Sequence, residues 1–233
     1  MEYAAPRPQI APEALHVQGF LRRVFAWMFL GLLVTAGVAG AVGSNDSLLT
    51  SLTKSPAVFL GIVVASLLIV LAISFLSQRL PVGLVTGLFF VYAALNGFVF
   101  ALIFELYTKQ SIFTTFLVTA GMFGALAWWG YATKRDLSAW GSILFMALIG
   151  LILATIVNLF IANSVLYWVT TYAGVLIFCG LTAYDMQKLR QYGEAGAASE
   201  EAEARAAVQG ALALYLDFVN LFLYLLRILG SRR

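Results

Sequence analysis

The sequence predicts an all-α polytopic membrane protein, a bundle of seven spans, on three observations. Hydrophobic residues make up 62% of the 233-residue chain and charged residues only 11%, whereas an ordinary soluble domain carries about 25% charged and 45–50% apolar residues. So few charges cannot cover a globular surface, and disorder is excluded because it needs low hydrophobicity and high net charge. Apolar runs without a charge recur along the chain. At about 20 residues for each crossing of a ~30 Å hydrocarbon core, the length holds around seven spans and short loops.

The elements follow in order. Residues 1–19 carry prolines and scattered charges with no apolar core behind a basic head, so they are expected to form a flexible or surface-lying tail, not a cleavable signal peptide. A first span is expected over 20–43, anchored by Arg22, Arg23 and Trp27, and a second over 56–77. Pro56 opens the second, where a missing N–H costs nothing. The turn Gln78–Arg79–Leu80–Pro81 leads to a third span over 82–107; a fourth, 111–133, ends in Lys134–Arg135–Asp136. No charge occurs from Leu137 to Tyr184. That stretch is too long for one crossing, so it is read as spans 138–161 and 165–186 turning at Ala162–Asn163–Ser164. Residues 187–205, rich in Ala, Gly and Glu, read as a polar loop with room for a short surface helix; 206–229 is the seventh span.

Basic residues sort by side. Seven crossings put Arg7, Arg22, Arg23, Arg79, Lys134, Arg135, Lys188, Arg190 and Arg205 with the N-terminus and only Lys54 and Lys109 in the opposite loops, which makes the N-terminus cytoplasmic. Arg227, Arg232 and Arg233 oppose that pattern at the far end: either the last segment spans despite them, or it is re-entrant. Small residues four apart, Gly83/Gly87, Ala36/Gly40 and Gly97/Ala101, read as ordinary close packing of membrane helices.

Asp217 is the most informative residue. It interrupts LALYLDFVNLFLYLL, and a charge at mid-bilayer costs about 2.5–3.5 kcal/mol on insertion scales. Asn220 and Tyr224, three and seven residues on, share its helix face, which must turn into the bundle. Asp185 follows the apolar run 165–184; it is either a carboxylate at the membrane interface paired with Lys188 or a partner of Asp217. If the two carboxyls meet, both cannot ionise cheaply, so they hold a proton between them and titrate as a unit. Deprotonation would part the helices or admit a cation, and carboxylate oxygens are hard ligands suited to calcium. Asn96, Glu105 and Asn158 read as helix hydrogen-bonders or, for Glu105, an interfacial group.

Other chemistries fall away. The only histidine, His16, precedes the first span, and the single cysteine, Cys179, allows neither an internal disulfide nor a thiolate cluster. No HExxH, P-loop or CxxC occurs, and the last span lacks the lysine a retinal Schiff base needs. The chain is expected not to be an enzyme, to hold no cofactor and, at a net charge of +3, not to bind nucleic acid.

GLTAYDMQKLR (180–190), ALALYLDFVNLFLYLLRILG (211–230) and TKRDLS (133–138) together resemble the Bax inhibitor-1 family of membrane proteins, and most closely its bacterial inner-membrane members. The resemblance covers the chain from about Gly19. It implies a seven-helix bundle with the C-terminal helix central and a pH-sensitive calcium leak governed by an aspartate pair, which falls on Asp185 and Asp217. It also implies an arginine latch near the end of the second helix in some members. Arg79 is the candidate here, although alignment from the shared Val-Gly places Ser77 at the latch position; an acidic residue of the second helix in some members has no counterpart between Pro56 and Gln78.

Two functions follow as expectations. One is a proton-sensitive calcium leak channel in the bacterial inner membrane, gated by Asp185 and Asp217, with calcium as permeant ion and Asn220 and Tyr224 in support. The alternative is a non-conducting interaction protein that restrains a membrane-bound protease or modulates a stress response.

Overall fold

The computed structural model describes residues 12–232. These form eight helices and no β-strand: α1 (Pro12–Gly43), α2 (Asp46–Lys54), α3 (Pro56–Leu76), α4 (Val82–Leu106), α5 (Lys109–Ala132), α6 (Ser138–Ile161), α7 (Ser164–Ala195) and α8 (Glu200–Leu229). All but α2 are long and apolar enough to cross a membrane, so the chain is an all-α polytopic membrane protein. Helices α2, α5, α7 and α8 begin where a side chain satisfies an orphan N–H group. Asn163 accepts from Leu166 at the start of α7, and Ser199 accepts from Ala202 at the start of α8, where Glu200, Glu201 and Glu203 also favour the positive end of the helix dipole.

Two expectations about the segments outside the spans need correction. Of the tail 1–19, residues 12–19 belong to α1 and the rest lie outside the described residues; Val17 is buried because Gly193 of α7 lets the helices touch there. The stretch 187–205 is not a loop: α7 runs on to Ala195 and α8 starts at Glu200. Ala, Glu, Lys and Arg are strong helix formers, and at ~1.5 Å per residue these helices outrun a ~30 Å core, so their polar turns stand clear of the lipid. Between the first two spans, α2 is capped by the Asn45 side chain, which accepts from Ser47 and Leu48.

Helix α8 is the axis of the bundle. It packs against α1, α4, α5 and α7, and Leu214, Tyr215 and Leu221 on it are fully enclosed. Helices α3 and α6 stand outermost, on α4 and α7 respectively. The loops sort onto two ends. At one, Arg23 of α1 meets Glu203 of α8 at 3.2 Å, Arg205 donates to the Gln78 carbonyl, and buried Gln187 bonds both the Arg135 carbonyl and the Leu137 amide at 2.8 Å. At the other, the Thr108 amide donates to the Ser231 carbonyl at 3.1 Å and the Ser231 amide to Ser111 Oγ at 3.0 Å. Ser231, just past α8, thus meets the α4–α5 loop, and α8 crosses the whole bundle instead of turning back.

Of the small-residue pairs, only Gly97/Ala101 mediates close packing. A Cβ on Gly97 would lie 2.6 Å from Val38 Cβ, whereas Gly40, Gly83 and Gly87 face open space.

Candidate functional site

Helix spacing places Asp217, Asn220 and Tyr224 on one face of α8, and that face lines a cavity of about 810 Å³ between α3, α4, α6 and α7. The wall is mostly apolar, from Leu67, Phe145, Leu148 and Phe178; Tyr92, Ser142, Thr155 and Lys188 are among the polar groups that interrupt it. Asp217 is only 3% exposed, and its Oδ2 has no hydrogen-bond partner. Such a group costs several kcal/mol unless it is neutral or finds a partner. Asn220 spends its amide on the Leu216 carbonyl of its own helix at 2.8 Å, which leaves its side-chain oxygen to the cavity.

Asp185 enters from α7. It is half-buried, lines the same cavity, and lies within electrostatic reach of Asp217. It also lines a second cavity of about 270 Å³ with Phe20, Ser74, Lys188, Tyr192 and Gln209. That cavity lies toward the end where the α1, α7 and α8 extensions meet. The Asp185 carboxyl therefore stands at the junction of two cavities, with the ammonium of Lys188 acting on it electrostatically. Lys188, read at the sequence level as one alternative to Asp217, lines both cavities beside Asp185.

Arg79 is not brought to the pair. It is exposed in the α3–α4 turn and is absent from the walls of both cavities. Two residues earlier, buried Ser77 accepts a hydrogen bond from Gln209 Nε2 of α8. A neutral hydroxyl–amide bond thus ties α3 to the central helix where a latch would sit. Gln209 was not singled out in the sequence; eight residues before Asp217, it lies about 80° round the helix from it and faces the smaller cavity instead. Thr155 of α6 was also missed. It lines the same cavity and donates to the Leu151 carbonyl of its own helix at 2.7 Å, and a hydroxyl within an apolar span has no outward signal of its own. Asn96 bonds the Tyr92 carbonyl, and Asn158 closes the end of α6 by accepting from the Asn163 amide. Glu105 is exposed beside the α4–α5 loop.

Among the described residues no three His, Cys, Asp or Glu side chains gather as a metal site. Two carboxyls fall short of the six to eight oxygens that calcium prefers, so the arrangement can touch a cation and release it more readily than store it.

A polytopic bundle with a buried carboxyl on its central helix and a second carboxyl on the wall of the same cavity is the class of protein this geometry defines. The model of the family described as inhibitor of apoptosis-promoting Bax1 matches residues 17–233, and the chain belongs to that Bax inhibitor family. It is 46% identical over 218 residues to inner membrane protein YbhL of Escherichia coli K12, covering 93% of each chain. It is 42% identical to an uncharacterized protein of Deinococcus radiodurans, over 93% of this chain and 92% of that one. A protein of Borreliella burgdorferi is 40% identical, over 95% of both.

Proposed function

We propose that the protein is a proton-sensitive cation leak path, with calcium as a permeant ion, in a bacterial inner membrane. Asp185 and Asp217 form its gate. The observation that supports this most is the unpartnered, buried Oδ2 of Asp217 in a cavity shared with Asp185. With a proton on the pair, one carboxyl is neutral and the wall around it can stay closed. With both protons gone, two charges face each other in a low-dielectric space, and the cheapest relief is separation of α7 from α8 or entry of a cation. Asp185, opening onto the smaller cavity, would pass that cation toward the end bearing Arg22, Arg23, Lys134 and Arg135. That end is read as cytoplasmic because it carries the excess of basic residues. No catalytic group or cofactor is assigned, and Arg79 has no part in the gate.

The test is calcium entry into liposomes reconstituted with purified protein at several pH values. A leak that changes with pH supports the proposal. No leak from folded protein at any pH refutes it and leaves the non-conducting role, restraint of a membrane protease or a stress response, as the reading to pursue by partner capture.

A further inference from the structure

The face of α8 that carries Asp217 continues past the cavity. Asn220 and Tyr224 follow at three and seven residues, and Arg227 at ten, about 15 Å further along the axis at ~1.5 Å per residue. Tyr224 is the last residue of this face on the cavity wall, and Arg227 lies behind it. The tyrosine is held from three sides. Its ring stacks on Phe178 at 5.9 Å, and Gly174 of α7 leaves the room the ring occupies. A Cβ on Gly174 would come within 2.6 Å of that ring. On the third side the Arg227 guanidinium carbon sits 5.0 Å from the Tyr224 ring centre and 5.6 Å from that of Tyr167 on α7. Arg232, stacked on Tyr107, adds a second positive charge that also reaches Tyr167.

We propose that Arg227, stacked on Tyr224 and Tyr167, is the barrier at the C-terminal end of the cation path and sets its charge preference. The proposal rests on the cation-leak reading. A cation leaving the Asp217 cavity by this end must displace a wedged aromatic ring and then pass a fixed guanidinium. Both obstacles act on the same ion: cation–π contact holds the ring in place, and the positive charge repels a cation that approaches it. Arg227 also suits the negative end of the helix dipole. That structural role alone makes no demand on the sign of a passing ion, and the two roles part experimentally.

The experiment places a reporter thiol in the cavity, Asn220→Cys or, should that variant misfold, Leu216→Cys, each in a Cys179→Ala background. Thiosulfonate reagents of similar size, one cationic and one anionic, are applied to vesicles in the orientation that a Ser231→Cys control shows to expose this end. With Arg227 present the anionic reagent reacts faster. Arg227→Gln shifts the cationic-to-anionic rate ratio by about tenfold, since a unit charge a few ångströms from the path acts oppositely on the two reagents even when well screened. Arg227→Lys, which keeps the charge, stays within about twofold of the parent ratio because only the stacking changes. Calcium leak measured on the same proteins rises in Arg227→Gln. An unchanged reagent ratio in Arg227→Gln overturns the proposal. An absence of leak from the parent protein, with the ratio still shifting, counts against the leak reading and leaves the charge barrier standing.

Discussion

Replacing Gly97 by alanine should destabilise the bundle, while the same change at Gly87 should not. The added Cβ at 97 would stand 2.6 Å from Val38 Cβ and 2.9 Å from the backbone oxygen of Thr35. Carbon atoms prefer about 3.5–4.0 Å, so α4 must retreat from α1 by roughly 1 Å. A backbone carbonyl cannot swing aside as a side chain can. The retreat also strains the Thr35 hydroxyl, which bonds the Ala93 carbonyl of α4 at 2.8 Å and the Tyr215 hydroxyl of α8 at 2.6 Å. Overpacking of this kind costs about 1–3 kcal/mol, offset by up to ~1 kcal/mol of better helix propensity, for a net loss of roughly 1–2 kcal/mol. For a chain of this size that is a fall in Tm of about 2–8 °C. Gly87 is exposed, and a methyl group added there would have nothing within 4 Å, so Gly87→Ala should leave Tm unchanged or raise it slightly. Thermal unfolding of both variants in one detergent decides the matter. A neutral Gly97→Ala, or equal losses at both positions, would refute the reasoning.

Two further substitutions probe how the bundle satisfies its buried polar groups. Thr35→Val should cost more than Tyr215→Phe in the same unfolding assay. The first orphans a fully buried tyrosine hydroxyl, worth about 1–3 kcal/mol; the second removes that hydroxyl while Thr35 keeps the Ala93 carbonyl, worth about 0.5–1.5 kcal/mol. Equal costs would contradict this. Gln187→Leu should lose about 1–3 kcal/mol, because it strands the buried Leu137 amide; the Arg135 carbonyl, on an exposed residue, can turn to water. Hydrogen exchange at Leu137 should accelerate; unchanged protection there would show that the loop does not depend on Gln187.

Much of this arrangement was legible because lipid imposes a simple rule on sequence. A segment such as 138–161 must be uniformly apolar to cross, and its helix has those bounds. A carboxyl in such a segment must turn inward, which is why Asp217 could be singled out and why a spacing of three and seven gathered Asn220 and Tyr224 on the wall it lines. The rule weakens where helices leave the bilayer. Residues 187–205 are polar whether helical or not, so hydropathy could not show that α7 and α8 extend there. Gly83/Gly87 and Gly97/Ala101 are indistinguishable as strings, since which helix face meets a neighbour is decided by the bundle. The pairing of Gln209 with Ser77 joins residues far apart in the chain through neutral groups, and nothing in their local sequence marks it.

The most direct measurement is calcium flux into liposomes from the wild type beside Asp217→Asn and Asp185→Asn, taken across the acidic to neutral range. The shared-proton gate predicts a pH-dependent wild-type leak whose pH dependence disappears in either variant, whether the leak is lost or becomes constant. A folded Asp217→Asn protein that keeps the wild-type pH profile would contradict it.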